Sequence, residues 1–195
     1  MGIFAYVSIF LEETHVARAG KIRIAEFSFV DMLRTRELIP PLTMRLPDGR
    51  TIHAWDFKQK KSLVIAFLDA DCAACEAFLG NLSERASELR EKGAVVLACF
   101  LETPPRRFAD TLPDGIFAGT ESTGRAARAF LGDGALSGNG LAQPGVFVAD
   151  RYGELSAVWT ARDHKFPAAG EILTSLHQIE IACEECYPPT WPPEE

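Results

Sequence analysis

Hydrophobic and polar positions follow two different periods along this chain, and the switches between them mark its elements. "KSLVIAFLD", Lys61 to Asp69, and "AVVLACFL", Ala94 to Leu101, are unbroken apolar runs, the pattern of strands buried on both faces. Between them Phe78, Leu82, Ala86 and Leu89 recur at helical spacing, and Gly93 closes the helix as a C-cap. Strand, helix and strand form a βαβ unit, whose strands should be parallel. Upstream, "LTMRLPDGRTIHAW" predicts two short strands around a Pro-Asp-Gly turn.

Downstream, "RRFADTL" and "TGRAARAFLG" are short helical pieces with "GIFAG" between them, and "GDGALSGNGLAQ" is expected to be a flexible Gly-rich loop. "GVFVAD", the tight turn "RYG" and "ELSAVW" predict an antiparallel hairpin. A last helix, about Pro167 to Ala182, carries Ile172, Leu173, Leu176 and Ile179 on one face. Near the start, "EFSFVDMLRTREL" is expected to be a short helix that ends at "IPP", because residues before proline avoid the helical region. The order hairpin, βαβ, helix, β-hairpin, helix gives an α/β sandwich around a mixed sheet. The organisation expected is an N-terminal extension over residues 1–39, one domain over 40–182 and a Cys/Pro-rich tail over 183–195.

Composition narrows the class. The chain has 195 residues, 47% of them hydrophobic and 24% charged, as in an ordinary soluble globular domain with a full core. Its net charge of −7 argues against a nucleic-acid surface, which needs clustered Lys and Arg; "PPRRF" is too short for one. The apolar stretch from Ile3 to Leu11 has no Lys or Arg before it and Glu12 and Glu13 directly after. It is too short to span a membrane and lacks the charged head of a signal peptide. A cytoplasmic location, with no membrane partner, is the expectation.

The chemistry lies in the sulfurs. Five cysteines form two CxxC pairs, Cys72 with Cys75 and Cys183 with Cys186, plus the lone Cys99. An odd count at such spacings is a poor disulfide framework, and CxxC in a cytosolic chain suggests redox or metal chemistry. In "FLDADCAACEAFLGNL" the buried strand runs straight into a CxxC that opens a helix. Helix N-termini carry exposed N–H groups and roughly half a positive charge, which favour a thiolate. Cys72, at the helix mouth, is placed to attack a disulfide, and Cys75, one turn further in, to resolve the mixed disulfide. Asp69, Asp71 and Glu76 bring negative charge that opposes the thiolate, so the pair is expected to be reducing. Cys99, inside "VVLACF", reads as a core cysteine.

On these residues the chain resembles the thioredoxin-like superfamily, in which a buried strand leads into W-C-x-x-C at a helix start. "PPLTMRLPDGRTIHAWDF" resembles the N-terminal hairpin of its redoxin, AhpC/TSA branch. "QPGVFVADRYGEL" resembles the segment where that superfamily places a cis-proline before a hairpin strand. The resemblance covers roughly residues 40–182 and implies a three-layer sandwich with a mixed central sheet. It makes Pro144 the cis-proline, packed on the cysteine pair and shaping a substrate groove. It also brings the end of "ELSAVW", and with it His164, near the pair; His164 is either a proton-transfer partner or, as the preferred reading, a solvated loop histidine.

The departures from the family pattern are specific. Asp71 replaces the Trp before the first cysteine, and Ala-Ala replaces Gly-Pro between the cysteines. The buried Asp of thioredoxins corresponds to Ala66. Peroxiredoxins carry a Thr where this chain has Asp69 and an Arg where it has Pro144, so little remains to polarise a peroxide.

The last helix should begin near the pair and run over 20 Å away, at about 1.5 Å per residue. Cys183 and Cys186 then fall at the opposite end, and three readings stay open for them: a structural disulfide or free thiols, half a zinc site, or a second redox relay. Zinc needs four ligands, and two are visible. The tail, with its "YPPTWPPEE", also resembles a class of bacterial redoxin-domain proteins.

The expected function is that of a thiol–disulfide oxidoreductase acting on a protein or low-molecular-weight thiol or disulfide partner. Cys72 is the nucleophile and Cys75 the resolving thiol, and no cofactor or resident metal is implied. The alternatives are an atypical peroxide reductase using Cys72, and a metal-binding or interaction module on the same fold.

Overall fold

The computed structural model describes residues 31–109, 112–138, 140–160 and 165–182. Two strands open the domain, β1 (Thr43–Arg45) and β2 (Thr51–His53), followed by a 3-10 turn at Ala54–Phe57. The βαβ unit comes next, with β3 (Ser62–Leu68), the helices α1 (Ala73–Glu84) and α2 (Ala86–Glu91), and β4 (Ala94–Phe100). A short α3 (Arg106–Ala109), β5 (Ile116–Thr120) and α4 (Arg125–Leu131) follow. The small pair β6 (Leu136–Ser137) and β7 (Gly140–Leu141) leads into β8 (Gly145–Ala149), β9 (Leu155–Thr160) and α5 (Ala169–Ile181).

The main sheet has the order β2-β1-β5-β4-β3-β8-β9. Its centre, β5-β4-β3, is parallel, while β8 and β9 on one side and β1 and β2 on the other run antiparallel. The unbroken apolar runs are explained by alternation across this sheet. Leu63, Ile65, Phe67, Val95, Leu97 and Cys99 enter one core with Phe130 of α4 and Phe147 of β8. Val64, Ala66, Leu68, Val96, Ala98 and Phe100 enter a second core under α1, α2 and α5. In the first, Phe67, Phe130 and Phe147 pack as an aromatic trio, with ring centroids 5.1 to 6.2 Å apart. The result is an α/β sandwich with helices on both sheet faces.

The secondary structure departs from the sequence expectations, or adds to them, in four places. The single helix expected up to Gly93 breaks at Arg85, whose φ of −106° and ψ of 20° are not helical. Just ahead of the break the Ser83 hydroxyl donates to the Leu79 carbonyl at 2.8 Å, a bond that bends helices, and Arg85 is held by a two-pronged pair with Glu88. "GIFAG" is the strand β5, parallel to β4. Gly119 is there because β1 passes so close that a Cβ would lie 2.9 Å from the Arg45 carbonyl oxygen. The loop expected to be flexible folds over the first core, with Ala142 N–H bonded to the Ala135 carbonyl at 2.8 Å and Leu136 packed on Gly124.

The fourth departure is in the N-terminal segment. Its described part, residues 31–39, is not a helix. Arg36 and Leu155 are joined by a 2.7 Å backbone bond, Leu155 N–H donates to Glu37, and Leu38 bridges Glu154. The start of β9 offers unpaired edge groups, and bonding to them outweighs a short helix that would have few bonds of its own. Ile39 is thereby buried.

Candidate active site

β3 ends at Leu68, and three residues carry the chain across the sheet end to Cys72, the N-cap of α1. Cys72 has extended backbone angles, and its Sγ accepts the Cys75 N–H at 3.1 Å. The sulfur takes the place of the side-chain oxygen that usually satisfies an orphan donor at a helix start. A thiolate there gains both that N–H and the field of the helix end. Cys72 is half-buried, whereas Cys75 is 1% exposed. Neither is in a disulfide in this structure.

Cys75 lies in the core under α1 and is hydrogen-bonded to Cys72 and to the Asp69 main-chain N–H. Burial pushes its thiol up to about 12. The bond to Cys72 and the charges of Cys72 and Asp69 push the same way, against the Asp69 N–H. Cys75 is thus a neutral thiol held behind a more exposed sulfur, the order that attack by Cys72 and resolution by Cys75 require.

Asp71 is exposed, and its N–H donates to Asp69 Oδ1 at 3.0 Å, tightening the turn into the helix. The influence of Asp69 on Cys75 was not visible in the sequence, where Asp69 stood out as a negative charge near Cys72 and as the residue in place of a Thr. The signal was present in its spacing, since a residue just past a strand end faces the first turn of the helix that follows.

Pro144 is buried at the entry to β8, where Gly145 pairs with Phe67. By strand alternation it falls on the α1 side with Val146. The expected cis peptide is corrected: none of the described peptide bonds is cis, so Gln143–Pro144 is trans. Trans is the ordinary preference of an X–Pro bond, by about 0.5–1 kcal/mol.

Thr160, the last residue of β9, pairs with Gly145, so β9 does return to the Cys72 end of the sheet. His164, Cys183 and Cys186 lie outside the described residues. α5 starts at the Cys72 end, where Phe166 stacks on Phe78 of α1 at 4.6 Å. It finishes at the other end, where Glu180 meets Lys92 at 2.7 Å, as the helix length required.

Among the described residues, no group of three or more His, Cys, Asp or Glu side chains could hold a metal ion. Also among them, no helix is long and apolar enough to cross a membrane. Cys99 is 1% exposed. Burial, with the charge of nearby Glu121, raises its thiol far above the ordinary range.

The AhpC/TSA family model matches residues 35–158. The chain belongs to the AhpC/TSA family. That membership makes it a thiol-based redox protein and fits the cysteine geometry. The fold is shared with reduced 2-Cys peroxiredoxin of Plasmodium vivax, at 13% identity and a TM-score of 0.62 over 75% of this chain and 81% of that one. Mycobacterium tuberculosis AhpC matches at 17% identity and 0.63, over 78% of this chain and 97% of that one. A protein assigned as the thiol:disulfide interchange protein DsbE of Chlorobium tepidum matches at 18% and 0.56, over 74% and 99%. The fold is therefore thioredoxin-like, in its redoxin branch. No curated relative matches the chain.

Proposed function

We propose that this AhpC/TSA-family protein is a thiol–disulfide oxidoreductase. Cys72 attacks a substrate disulfide, one substrate sulfur leaves as a thiolate, and a mixed disulfide forms at Cys72. Cys75 then loses its proton and attacks Cys72 Sγ, closing the intramolecular disulfide and releasing the second substrate sulfur. The substrate gains two electrons and the dithiol loses two. Pro144 borders the groove beside the pair and Asp71 its exposed rim; the partner is a protein or small-molecule disulfide. The carrying observation is the N-cap geometry: the sulfur of a half-buried Cys72 accepts the main-chain N–H of Cys75, whose own thiol is buried.

A second reading is peroxide reduction at Cys72, supported by the family and by the peroxiredoxin neighbours. It is the weaker one, because Asp69 and Pro144 supply neither a hydroxyl nor a guanidinium to polarise an O–O bond.

One experiment separates the two. Protein equilibrated across a dithiol buffer series, with thiols trapped and counted, should show a reversible two-electron transition near about −270 mV. The transition should vanish in Cys72→Ser. Fast peroxide consumption with no such transition would favour the second reading and overturn the first.

A further inference from the structure

Three of the chain's six lysines, Lys58, Lys60 and Lys61, fall within four residues. They lie in the turn between the 3-10 turn and β3, at the end of the sheet opposite Cys72. Lys58 Nζ stands 3.8 Å above the centre of the Trp55 ring, and Lys60 Nζ donates to the Asp56 carbonyl at 3.1 Å. Among the described residues no carboxylate forms an ion pair with any of the three. Asp56 turns its carboxylate instead to the His53 N–H, at 2.9 Å. The hairpin turn between β8 and β9 joins the same surface, since Gln59 N–H donates to the Arg151 carbonyl at 2.7 Å. That turn adds the Arg151 guanidinium, 5.3 Å from the Tyr152 ring centre. Its Asp150 carboxylate accepts the Tyr152 and Glu154 N–H groups at 2.8 and 2.9 Å, and Glu154 is the other acid there.

The last helix ends beside this surface. Ser62 N–H donates to the Gly93 carbonyl at 3.1 Å, which sets Lys61 next to the end of α2. There Lys92 pairs with Glu180 of α5 at 2.7 Å, two residues before the C-cap Ala182. Residues 183–195 follow, with Glu184, Glu185, Glu194, Glu195, Tyr187 and Trp191 and no Lys, Arg or His. We propose that this end of the domain is the docking surface of the chain's own residues 183–195, their acidic and aromatic side chains set against the Lys58–Lys61 turn and Trp55. Reach is ample. The β8–β9 turn lies two strands from β4, about 10 Å, and thirteen extended residues span about 40 Å. Each exposed charge pair is weak by itself, so docking needs several at once. Pro188, Pro189, Pro192 and Pro193 stiffen the segment and reduce the entropy lost on docking. Docked there, Cys183 and Cys186 are kept at the far end of the sheet from Cys72, beside cations that favour their thiolates. The inference needs no redox step and stands apart from the reading of Cys72.

The test is cross-linking of the full-length chain with a water-soluble carbodiimide, which joins a lysine amine directly to a carboxylate in contact with it. Equal parts of unlabelled and nitrogen-15-labelled protein are mixed, treated at low salt, digested and read by peptide mass analysis. Lys92 and Glu180, already 2.7 Å apart, are the internal standard that shows the reagent working. Links from Glu184, Glu185, Glu194 or Glu195 to Lys58, Lys60 or Lys61 should form, each within a single label. At about 1 M salt, where the screening length is about 3 Å, their yield should fall at least about threefold. Absence of tail links while the Lys92–Glu180 link forms overturns the proposal. So do tail links to Lys165 in place of the Lys58–Lys61 turn, and links whose yield ignores salt. Links that join the two labels come from a second copy, and they overturn the assignment of the surface to the chain's own tail.

Discussion

Cys72 and Cys99 occupy the upper ends of neighbouring parallel strands and have opposite fates. Phe67 and Cys99 are register partners across β3 and β4, and Cys72 follows five residues after Phe67. Inside β4, Cys99 faces the core, with Met44 Sδ at 3.8 Å and the Leu97 carbonyl at 3.7 Å, and burial raises its thiol. Cys72 lies just past the strand, where the backbone has turned into a helix start whose N–H groups need acceptors. A few residues of chain convert a core filler into a nucleophile. The difference comes from the unsatisfied donors and the access to solvent at a strand–helix junction, since the side chain is the same.

The largest expected effect tests that contrast directly. Iodoacetamide should modify Cys72 at least about a thousandfold faster than Cys99 in the folded dithiol form, read by peptide mass analysis over time. Cys99→Ala should keep disulfide-reducing activity within about twofold and cost roughly 1–2 kcal/mol of stability, while Cys72→Ser should abolish activity. Comparable labelling of the two sulfurs would break the comparison.

A smaller effect sharpens it. The folded Cys75 thiol titrates near 12 against an ordinary value of 9.0. Below pH 9 both folded and unfolded chains keep this proton, and its stabilising contribution is complete. Between pH 9 and about 12 the unfolded chain releases it while the folded chain holds it, so stability falls as pH rises. In reductant, denaturant midpoints for Cys75→Ala should fall less steeply over this window, by up to about 1.4 kcal/mol per pH unit. Equal slopes in the two proteins would mean that Cys75 is not shielded as the structure shows.

The legible parts of this fold were those fixed by local pattern. β3, β4 and the hairpin of β8 and β9 are strands because their apolar runs or alternations admit little else, and Gly93, with φ +64°, caps α2 as its position suggested. The CxxC was legible for the same reason, since strand, N-cap and helix are contiguous. What could not be read depended on distant segments. Gly119, in a "GIFAG" stretch given no element from the sequence, is accounted for only by the passage of β1 beside it. The described end of the N-terminal segment had a helical pattern, but β9 offered it a free edge. Glu121 was not singled out at all. It is buried beside Thr123, whose N–H donates to it at 3.2 Å, and one of its oxygens has no protein partner. Pro144 lies at the β8 entry as its motif suggested, while the cis peptide that the resemblance implied is not found there.

The most direct test of the central claim is to trap the intermediate. Cys75→Ser, incubated with a disulfide-bonded peptide and quenched in acid, should accumulate one peptide per chain, linked to Cys72 and released by reductant. The wild type under the same conditions should end with a Cys72–Cys75 disulfide and free peptide. An adduct found only at Cys183 or Cys186, or none on Cys72, would contradict the assignment of Cys72 as nucleophile.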